Sequence, residues 1–275
     1  MDRRTFIAAL SVGSLAGRFP WHRRLTRVGL QLYSLRDDAR KDLERTLVNI
    51  AAVGYQDVEL LGSFDNFGMP VAQLRQILDR NGLRAPSTHV AGTIVDDLDR
   101  ELDKALTLGL QYLIVASLPI QGKPTLDVYR HWADRMNEAG RRARERGVWI
   151  GFHNHAGDLA PIDGAVPYDL FLERTDASVV RHQLDMGNIA MGNRDPFDYL
   201  RRYGSRYFLF HIKNVPRYGS TNDAELAAGI LEVQAFIAAI PDVDHKLLYV
   251  EQETYPSAPL DSVRRDFQYV SGLEF

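Results

Sequence analysis

Residues 143–155 read Ala-Arg-Glu-Arg-Gly-Val-Trp-Ile-Gly-Phe-His-Asn-His. A charged stretch ends at Gly147, an apolar run follows from Val148 to Phe152, and the run closes on His153, Asn154 and His155. Glycine suits the left-handed residue that stops a helix. A short continuous apolar run is what a strand covered on both faces requires. The same passage from helix through glycine to strand recurs at Val53-Gly54-Tyr55, Asn81-Gly82-Leu83 and Leu108-Gly109-Leu110. Working outward in both directions gives eight strand candidates, beginning near Val28, Asp57, Pro86, Tyr112, Val148, Arg181, Tyr207 and Leu247. Their spacing is about thirty residues, and the stretches between them carry apolar residues at helical spacing, such as Leu43, Leu47, Ile50 and Ala51, or Val233, Phe236, Ile237 and Ile240. Parallel strands need a crossover helix to return the chain. Eight such units predict an α/β fold, a single (β/α)8 TIM barrel with a parallel eight-stranded core and outer helices over residues 28–275. An open doubly wound sheet is the competing architecture, but no G-x-G-x-x-G follows any strand and no composition break marks a second domain.

The chain has 275 residues, of which 45% are hydrophobic and 25% charged, enough apolar material for one large core. Lys plus Arg number 33 against 36 Asp plus Glu, a net charge of −3 that argues against a nucleic-acid partner. There is no cysteine, which excludes disulfides, thiolate metal sites and a cysteine nucleophile. Any metal must therefore be held by His, Asp, Glu or water.

At the N-terminus, Arg3 and Arg4 precede the apolar run Phe6 to Ala16, with small residues at Ser14 and Ala16. The run is shorter than the ~20 residues a membrane span needs. The layout predicts a twin-arginine-like export signal peptide over 1–16, a linker over 17–27, and a periplasmic or secreted protein without a membrane span. An amphipathic N-terminal helix of the fold is the alternative.

Barrel interiors are packed with branched side chains, so ionisable residues at strand C-termini are anomalous unless they line a site. Here nearly every strand ends in one: Gln31 and Tyr33, Glu59, His89, then His153, Asn154 and His155, Asp185 and Asn188, His211 and Lys213, Glu251 and Glu253. Alternation puts His153 and His155 on one face, as it does His211 and Lys213. Each alone has a bland explanation in hydrogen bonding or ion pairing. Together, imidazoles and carboxylates without thiolate suit one divalent metal ion, Mn²⁺, Co²⁺, Mg²⁺ or Zn²⁺. Such an ion polarises a carbonyl or holds a deprotonated diol while a carboxylate, His or Lys moves the proton.

The strings GLQLYSLRDD (29–38), GYQDVELLG (54–62), FHNHAGD (152–158), LDMGN (184–188), HIKN (211–214) and VEQE (250–253), in this order, resemble the xylose-isomerase-like barrel family. That group holds sugar isomerases and epimerases, inosose dehydratases, enzymes acting on 3-keto-glycosides, and metal-dependent abasic-site endonucleases. In the epimerases the metal is held by an acid on strand 5, an Asp on strand 6, a His on strand 7 and a Glu on strand 8. Carried over, the last three are Asp185, His211 and Glu251. FHNHAGD has no glutamate at the strand 5 position, which His153 fills, with Asp158 or Glu59 as alternatives. The resemblance makes Glu251, His155, Lys213 and Glu59 the candidates for catalysis, and Gln31, His89, Asn188 and Arg217 the candidates for substrate binding. Asn188 stands where many relatives have His, and it can bond a hydroxyl but cannot shuttle a proton. Arg217 stands where epimerases keep an Arg near the substrate, and an exposed loop residue is the other reading.

These features imply a metal-dependent isomerase or epimerase acting on a small-molecule sugar, cyclitol or keto-glycoside, by proton abstraction next to a carbonyl through an enediolate. A dehydratase or lyase working by β-elimination is the first alternative. A noncatalytic carbohydrate-binding barrel, with Tyr33, Phe152 or Tyr255 as an apolar platform, is the second. Abasic-site cleavage fits poorly with the negative charge and with Asn188. Oligomeric state is not encoded in these patterns.

Overall fold

In a computed structural model, which describes residues 23–275, the expected strands all form. They are β1 (Gly29–Gln31), β2 (Asp57–Leu61), β3 (Arg84–Ala91), β4 (Tyr112–Ser117), β5 (Trp149–His153), β6 (Val180–Asp185), β7 (Tyr207–Ile212) and β8 (Leu247–Val250). Each pairs in parallel with the next, and β8 closes on β1, so the fold is a TIM barrel. Around it run α1 (Arg36–Lys41), α2 (Leu43–Val53), α3 (Val71–Arg80), α4 (Leu98–Leu108), α5 (Leu126–Glu145), α6 (Pro167–Arg174), α7 (Met186–Met191), α8 (Pro196–Tyr203), α9 (Val233–Ala239) and α10 (Pro259–Ser271). Gly54, Gly82, Gly109 and Gly147, which end helices or open the next strand, all have positive φ, as the sequence led us to expect. Strand β3 begins two residues before the expected Pro86. Its register against β2 slips by one residue between the Asp57 and Glu59 pairings, and Pro86 sits in that slip, where its missing N–H is tolerated.

Outward-facing strand residues such as Leu30, Val58, Ile150 and Phe210 are buried against helix residues including Leu47, Ile77 and Phe236, forming the main core. Inside the barrel, Ile114, Leu209 and Tyr249 make a second apolar cluster. It needs glycine around it, because a Cβ on Gly29 would lie 2.4 Å from the Tyr249 ring and one on Gly151 2.5 Å from Ile114. This apolar plug closes the barrel below and leaves the upper interior, toward the strand C-termini, to polar groups.

Two expectations for the N-terminal region need separate treatment. The signal at 1–16 lies outside the described residues. Of the expected linker over 17–27, residues 23–27 are described. Arg23 and Phe275 exchange backbone hydrogen bonds of 3.0 and 2.8 Å, and Arg23 and Arg24 pair with Asp244 and Glu274, so this segment is fastened to the C-terminus. Among the described residues no helix is long and apolar enough to cross a membrane.

Candidate functional site

The polar tier of the barrel is organised around Glu59 at the end of β2, which is fully buried. Its Oε2 accepts from His211 Nε2 at 2.6 Å and Gln31 Nε2 at 2.7 Å, and its Oε1 from Ser87 Oγ at 2.7 Å. Gln183 Nε2 lies 3.0 Å from both oxygens. Burial alone would raise the pKa of Glu59, but His89 and His211 outweigh it and hold the group ionised below its usual value. Ser87 is also 2.8 Å from the Tyr249 hydroxyl, so the network is anchored on the apolar plug.

This network fixes the histidine tautomers. With the Gln183 NH2 on Glu59, its Oε1 faces His89 Nε2 at 2.9 Å and His153 Nδ1 at 3.1 Å, so both of those nitrogens donate. His153 is therefore left with its lone pair on Nε2. His211 gives its Nε2 proton to Glu59, which leaves Nδ1 turned toward Glu251 Oε2 at 2.9 Å. His153 Nε2 and His211 Nδ1 lie 4.0 and 3.9 Å from the same atom, Asp185 Oδ2. One ligand atom from each of His153, Asp185, His211 and Glu251 falls within 4.8 Å of the others, and all four residues are buried. The carboxylate of Asp185 caps α7 through Oδ1, which accepts from Asn188 N at 2.8 Å. Its Oδ2 is buried and accepts no hydrogen bond. A buried anionic oxygen that accepts no hydrogen bond, with Lys213 Nζ at 3.2 Å and with His153 Nε2, His211 Nδ1 and a second carboxylate gathered round it, fits a divalent cation that displaces the His211 proton. The imidazole donating to Glu59 behind it is the usual outer support of a metal-ligating histidine.

Charge in the cluster is dense. Burial raises the pKa of Asp185 to about 6, with Lys213 opposing the shift. Burial would lower the pKa of His211, but Glu251 and Glu59 overcome it and raise it to about 10. Desolvation, with neighbouring histidines adding to it, keeps His153 neutral, with a pKa well below its ordinary value. Lys213 Nζ, fully buried, lies 2.6 Å from Glu253, 2.9 Å from Glu251 and 3.2 Å from Asp185. Gly187 makes room for its stem, since a Cβ there would come within 2.5 Å of Lys213 Cγ.

Above the quartet lies a cavity of about 200 Å³, with His89, His153, His155 and Glu251 among its lining and Tyr33 and Phe64 at its side. His155, at the exposed rim, sets its ring edge-on to His153 at 4.7 Å. Desolvation of that ring and the charge on Lys213 lower its pKa to about 4, so it stands neutral with a lone pair unprotonated.

The geometry gives several of the expected residues partners within the protein. Gln31 spends its Nε2 on Glu59 and its Oε1 on Tyr33 N, so it supports the site rather than binding substrate. Glu59 has both oxygens filled by protein donors and sits beneath the cluster. Lys213 is held protonated by three carboxylates and acts as a fixed charge. Asn188 turns its amide to Asn154 O at 3.1 Å and toward His153, which keeps it on the protein. Arg217 is exposed and donates to the carbonyl of Tyr218, in the loop that follows β7. Asp158 accepts from His155 N and the Tyr129 hydroxyl, apart from the quartet. Phe152 packs outward on Phe171 and Tyr168 and is no platform. His89 does line the cavity. Sequence reasoning missed Gln183, although its place two residues before Asp185 puts it on the same strand face. It also missed Phe64.

The family model described as xylose isomerase-like TIM barrel matches residues 47–273. The chain belongs to this family. The inosose dehydratase of Geobacillus kaustophilus (strain HTA426) is 25% identical over 196 residues, 62% of either chain. The chain thus spans about three-fifths of the length of that curated relative. A sugar phosphate isomerase/epimerase from Parabacteroides distasonis ATCC 8503 superposes with a TM-score of 0.76 at 23% identity, covering 88% of this chain and 96% of that one. The IOLI protein, solved with a bound zinc atom, superposes at 0.71 with 14% identity, over 90% of this chain and 99% of that one. At these identities the two structures speak for the fold.

Proposed function

We infer that this xylose isomerase-like barrel is a divalent-metal-dependent enzyme that removes a proton next to the carbonyl of a sugar- or cyclitol-derived ketone. The observation that carries this reading is the convergence of His153, Asp185, His211 and Glu251, one ligand atom of each within 4.8 Å of the others, on a buried Asp185 Oδ2 that accepts no hydrogen bond. Those four residues would hold the metal, which when bound supplies Lewis acidity to a carbonyl or enediolate oxygen. Lys213 adds a fixed positive charge to the same region, where charge developing on oxygen is stabilised most. His155, neutral at the cavity rim, is the group placed to take the substrate proton, and the aromatic side formed by Tyr33 and Phe64 excludes water. Strand β5 offers His153 in place of a carboxylate, so a relay of two opposed carboxylates is absent from the quartet. One imidazole that takes a proton and later gives it up suffices for β-elimination of a hydroxyl, and we favour that outcome over epimerisation. The similarity to an inosose dehydratase supports the same choice.

The test is elemental analysis of the purified chain together with proton NMR of an inosose or a ketose in D2O. We expect about one equivalent of divalent metal, exchange of the hydrogen next to the carbonyl, and loss of water from the inosose. Asp185→Ala and His211→Ala should abolish all three. A folded protein that binds no added metal and exchanges no substrate hydrogen overturns the reading in favour of a sugar-binding barrel.

A further inference from the structure

The opposite end of the barrel, where the strands begin, carries an excess of positive charge. A cavity of about 200 Å³ opens there, with Arg27, Asp57, Arg84, Tyr112, Asp244 and Lys246 among its lining. Asp57, Arg84 and Tyr112 are the first residues of β2, β3 and β4, and Lys246 immediately precedes β8. Tyr112 packs on the plug of Ile114, Leu209 and Tyr249, which separates this cavity from the quartet.

Asp57 is buried and fixes two guanidinium groups at once. Arg84 grips it with two prongs, Nε to Oδ1 at 2.7 Å and Nη2 to Oδ2 at 2.6 Å, while Arg27 Nε stands 3.5 Å from Oδ1. Nη1 of both arginines is left without a partner among the described residues. Guanidinium donors held this way suit an oxyanion. Lys246 Nζ lies 4.1 Å over the Phe208 ring and forms neither a hydrogen bond nor an ion pair among the described residues. Burial lowers its pKa, with Asp242 opposing the shift and Arg181 adding to it. A half-buried ammonium that has lost water without gaining a partner calls for an anion. The Tyr112 hydroxyl, half-buried beside it, is likewise without a partner among the described residues. Asp244, the other acid of the lining, is already paired with Arg23.

The surroundings reinforce the sign. Arg181 on β6 sets its guanidinium carbon 4.0 Å from the Trp149 ring and 3.6 Å from that of Phe208, and Arg144 covers Trp149 at 3.8 Å. Arg181 Nε is buried and makes no hydrogen bond. Aromatic faces hold these cations without neutralising them, and a surface of one sign raises the local concentration of its counter-ions. In the lining itself Arg27, Arg84 and Lys246 face one carboxylate, Asp57, that no other group neutralises. Two positive charges are left for a ligand to meet, in a chain whose net charge is −3. The cavity falls short of the ~300–1,000 Å³ of ordinary ligand pockets, so it suits a single charged group and not a sugar ring.

We propose that this cavity binds a dianionic oxyanion, a phosphate either free or at the end of a small phosphomonoester, with Arg27, Arg84, Lys246 and Tyr112 as its donors. The bound group ties the start of β3 to the segments that precede β1 and β8, and it acts as a stabilising ligand, not as a substrate. None of this rests on the reading of the quartet, which faces the other end of the barrel.

The test is calorimetric titration of the purified full chain with inorganic phosphate and with glycerol 3-phosphate, against sodium chloride at matched ionic strength. Phosphate should bind at about one equivalent and raise the midpoint of thermal unfolding, where chloride does neither. Lys246→Met keeps an apolar stem on Phe208 and removes the charge. It should weaken phosphate about tenfold, as should Arg27→Gln, the loss expected of one charge-assisted hydrogen bond. Both variants should melt at the wild-type temperature in phosphate-free buffer. Asp185→Ala, which dismantles the quartet, should bind phosphate as wild type does. Glycerol 3-phosphate binding as tightly as phosphate assigns the site to a phosphomonoester, and phosphate binding alone assigns it to the free ion. Binding of neither, binding no tighter than that of chloride, or an affinity that survives both Lys246→Met and Arg27→Gln overturns the proposal. An affinity lost in Asp185→Ala overturns it too, by moving the phosphate to the quartet.

Discussion

Glu59→Gln keeps the side-chain volume and removes the charge at the hub of the polar tier. The carboxylate accepts from His211 at 2.6 Å, from Gln31 and Ser87 at 2.7 Å, and from Gln183 at 3.0 Å to each oxygen. A glutamine amide offers one acceptor oxygen and one donor nitrogen. Ser87 can turn its hydroxyl to accept from that nitrogen, but Gln183 spans both positions and would then meet a donor with a donor. A buried donor left in that state costs about 1–3 kcal/mol. The His211 bond, now to a neutral oxygen, also weakens by roughly half. We therefore expect the metal-free variant to lose about 2–3 kcal/mol of stability in urea melts. Removing the outer partner of a ligating histidine costs 10–100-fold in metal affinity, and competition against a chromophoric chelator should show that loss for Zn²⁺ or Mn²⁺. Because Glu59 positions His211 and does not touch substrate, turnover should return toward wild type once the metal is saturating. Wild-type affinity and stability, or lost turnover that saturating metal does not restore, would refute this account of Glu59.

Two further perturbations separate chemistry from scaffold. His155→Asn should retain metal but lower kcat by roughly 10²–10⁴, the range for removing a general acid–base group, and a small change in kcat with normal metal content would sink the assignment. Asp266 on α10 is buried, accepts from Leu226 N at 2.7 Å, and has its pKa raised to about 7 by burial. Below about pH 4 both folded and unfolded chains carry this proton, between about pH 4 and 7 only the folded one keeps it, and stability therefore falls as pH rises through that window. The size is on the order of 2–4 kcal/mol. Asp266→Asn should be the more stable protein at pH 8 relative to pH 5 when each is compared with wild type in urea melts, and an unchanged difference between the two pH values would count against the raised pKa.

The alternation of apolar strand and helical spacing was legible because each barrel strand is buried on both sides, so its residues must read as a run. The register detail at β3 was not, since Pro86 marks a slip only once Arg84 and Ser87 are seen against Asp57 and Glu59. The convergence of His153, Asp185, His211 and Glu251 could be anticipated from strand ends. What the strand pattern could not provide was depth. Gln31 and Glu59 share a face with the ligand candidates, and only the closed register shows that they lie beneath them with every polar atom already engaged. Arg217 is a different case, because a loop residue carries no periodicity from which its direction follows. For Phe64 a signal existed in the adjacent Asp65-Asn66, two residue types that tolerate left-handed backbone, but nothing local marks Phe67, with φ of 58°, as adopting it too.

The depth of these groups is also why the site calls for a cation. Glu59, Asp185 and Glu251 are buried carboxylates, and Lys213 is the one buried ammonium set among them. With the histidines neutral, three negative charges against one positive leave two uncompensated among buried groups. Buried charge in that state is among the costliest arrangements a protein can hold. A proton on His211 relieves half of it, which is why the flanking carboxylates raise its pKa to about 10. A divalent ion relieves all of it and leaves His211 Nδ1 free to act as a ligand. Such an ion would also engage Asp185 Oδ2, the oxygen of the quartet that no hydrogen bond satisfies. Stability of the upper barrel and metal affinity are therefore the same electrostatic quantity measured in two ways. Adding the metal should raise the midpoint of thermal unfolding, and it should do so far less in Asp185→Ala, where one of the two surplus charges has been removed.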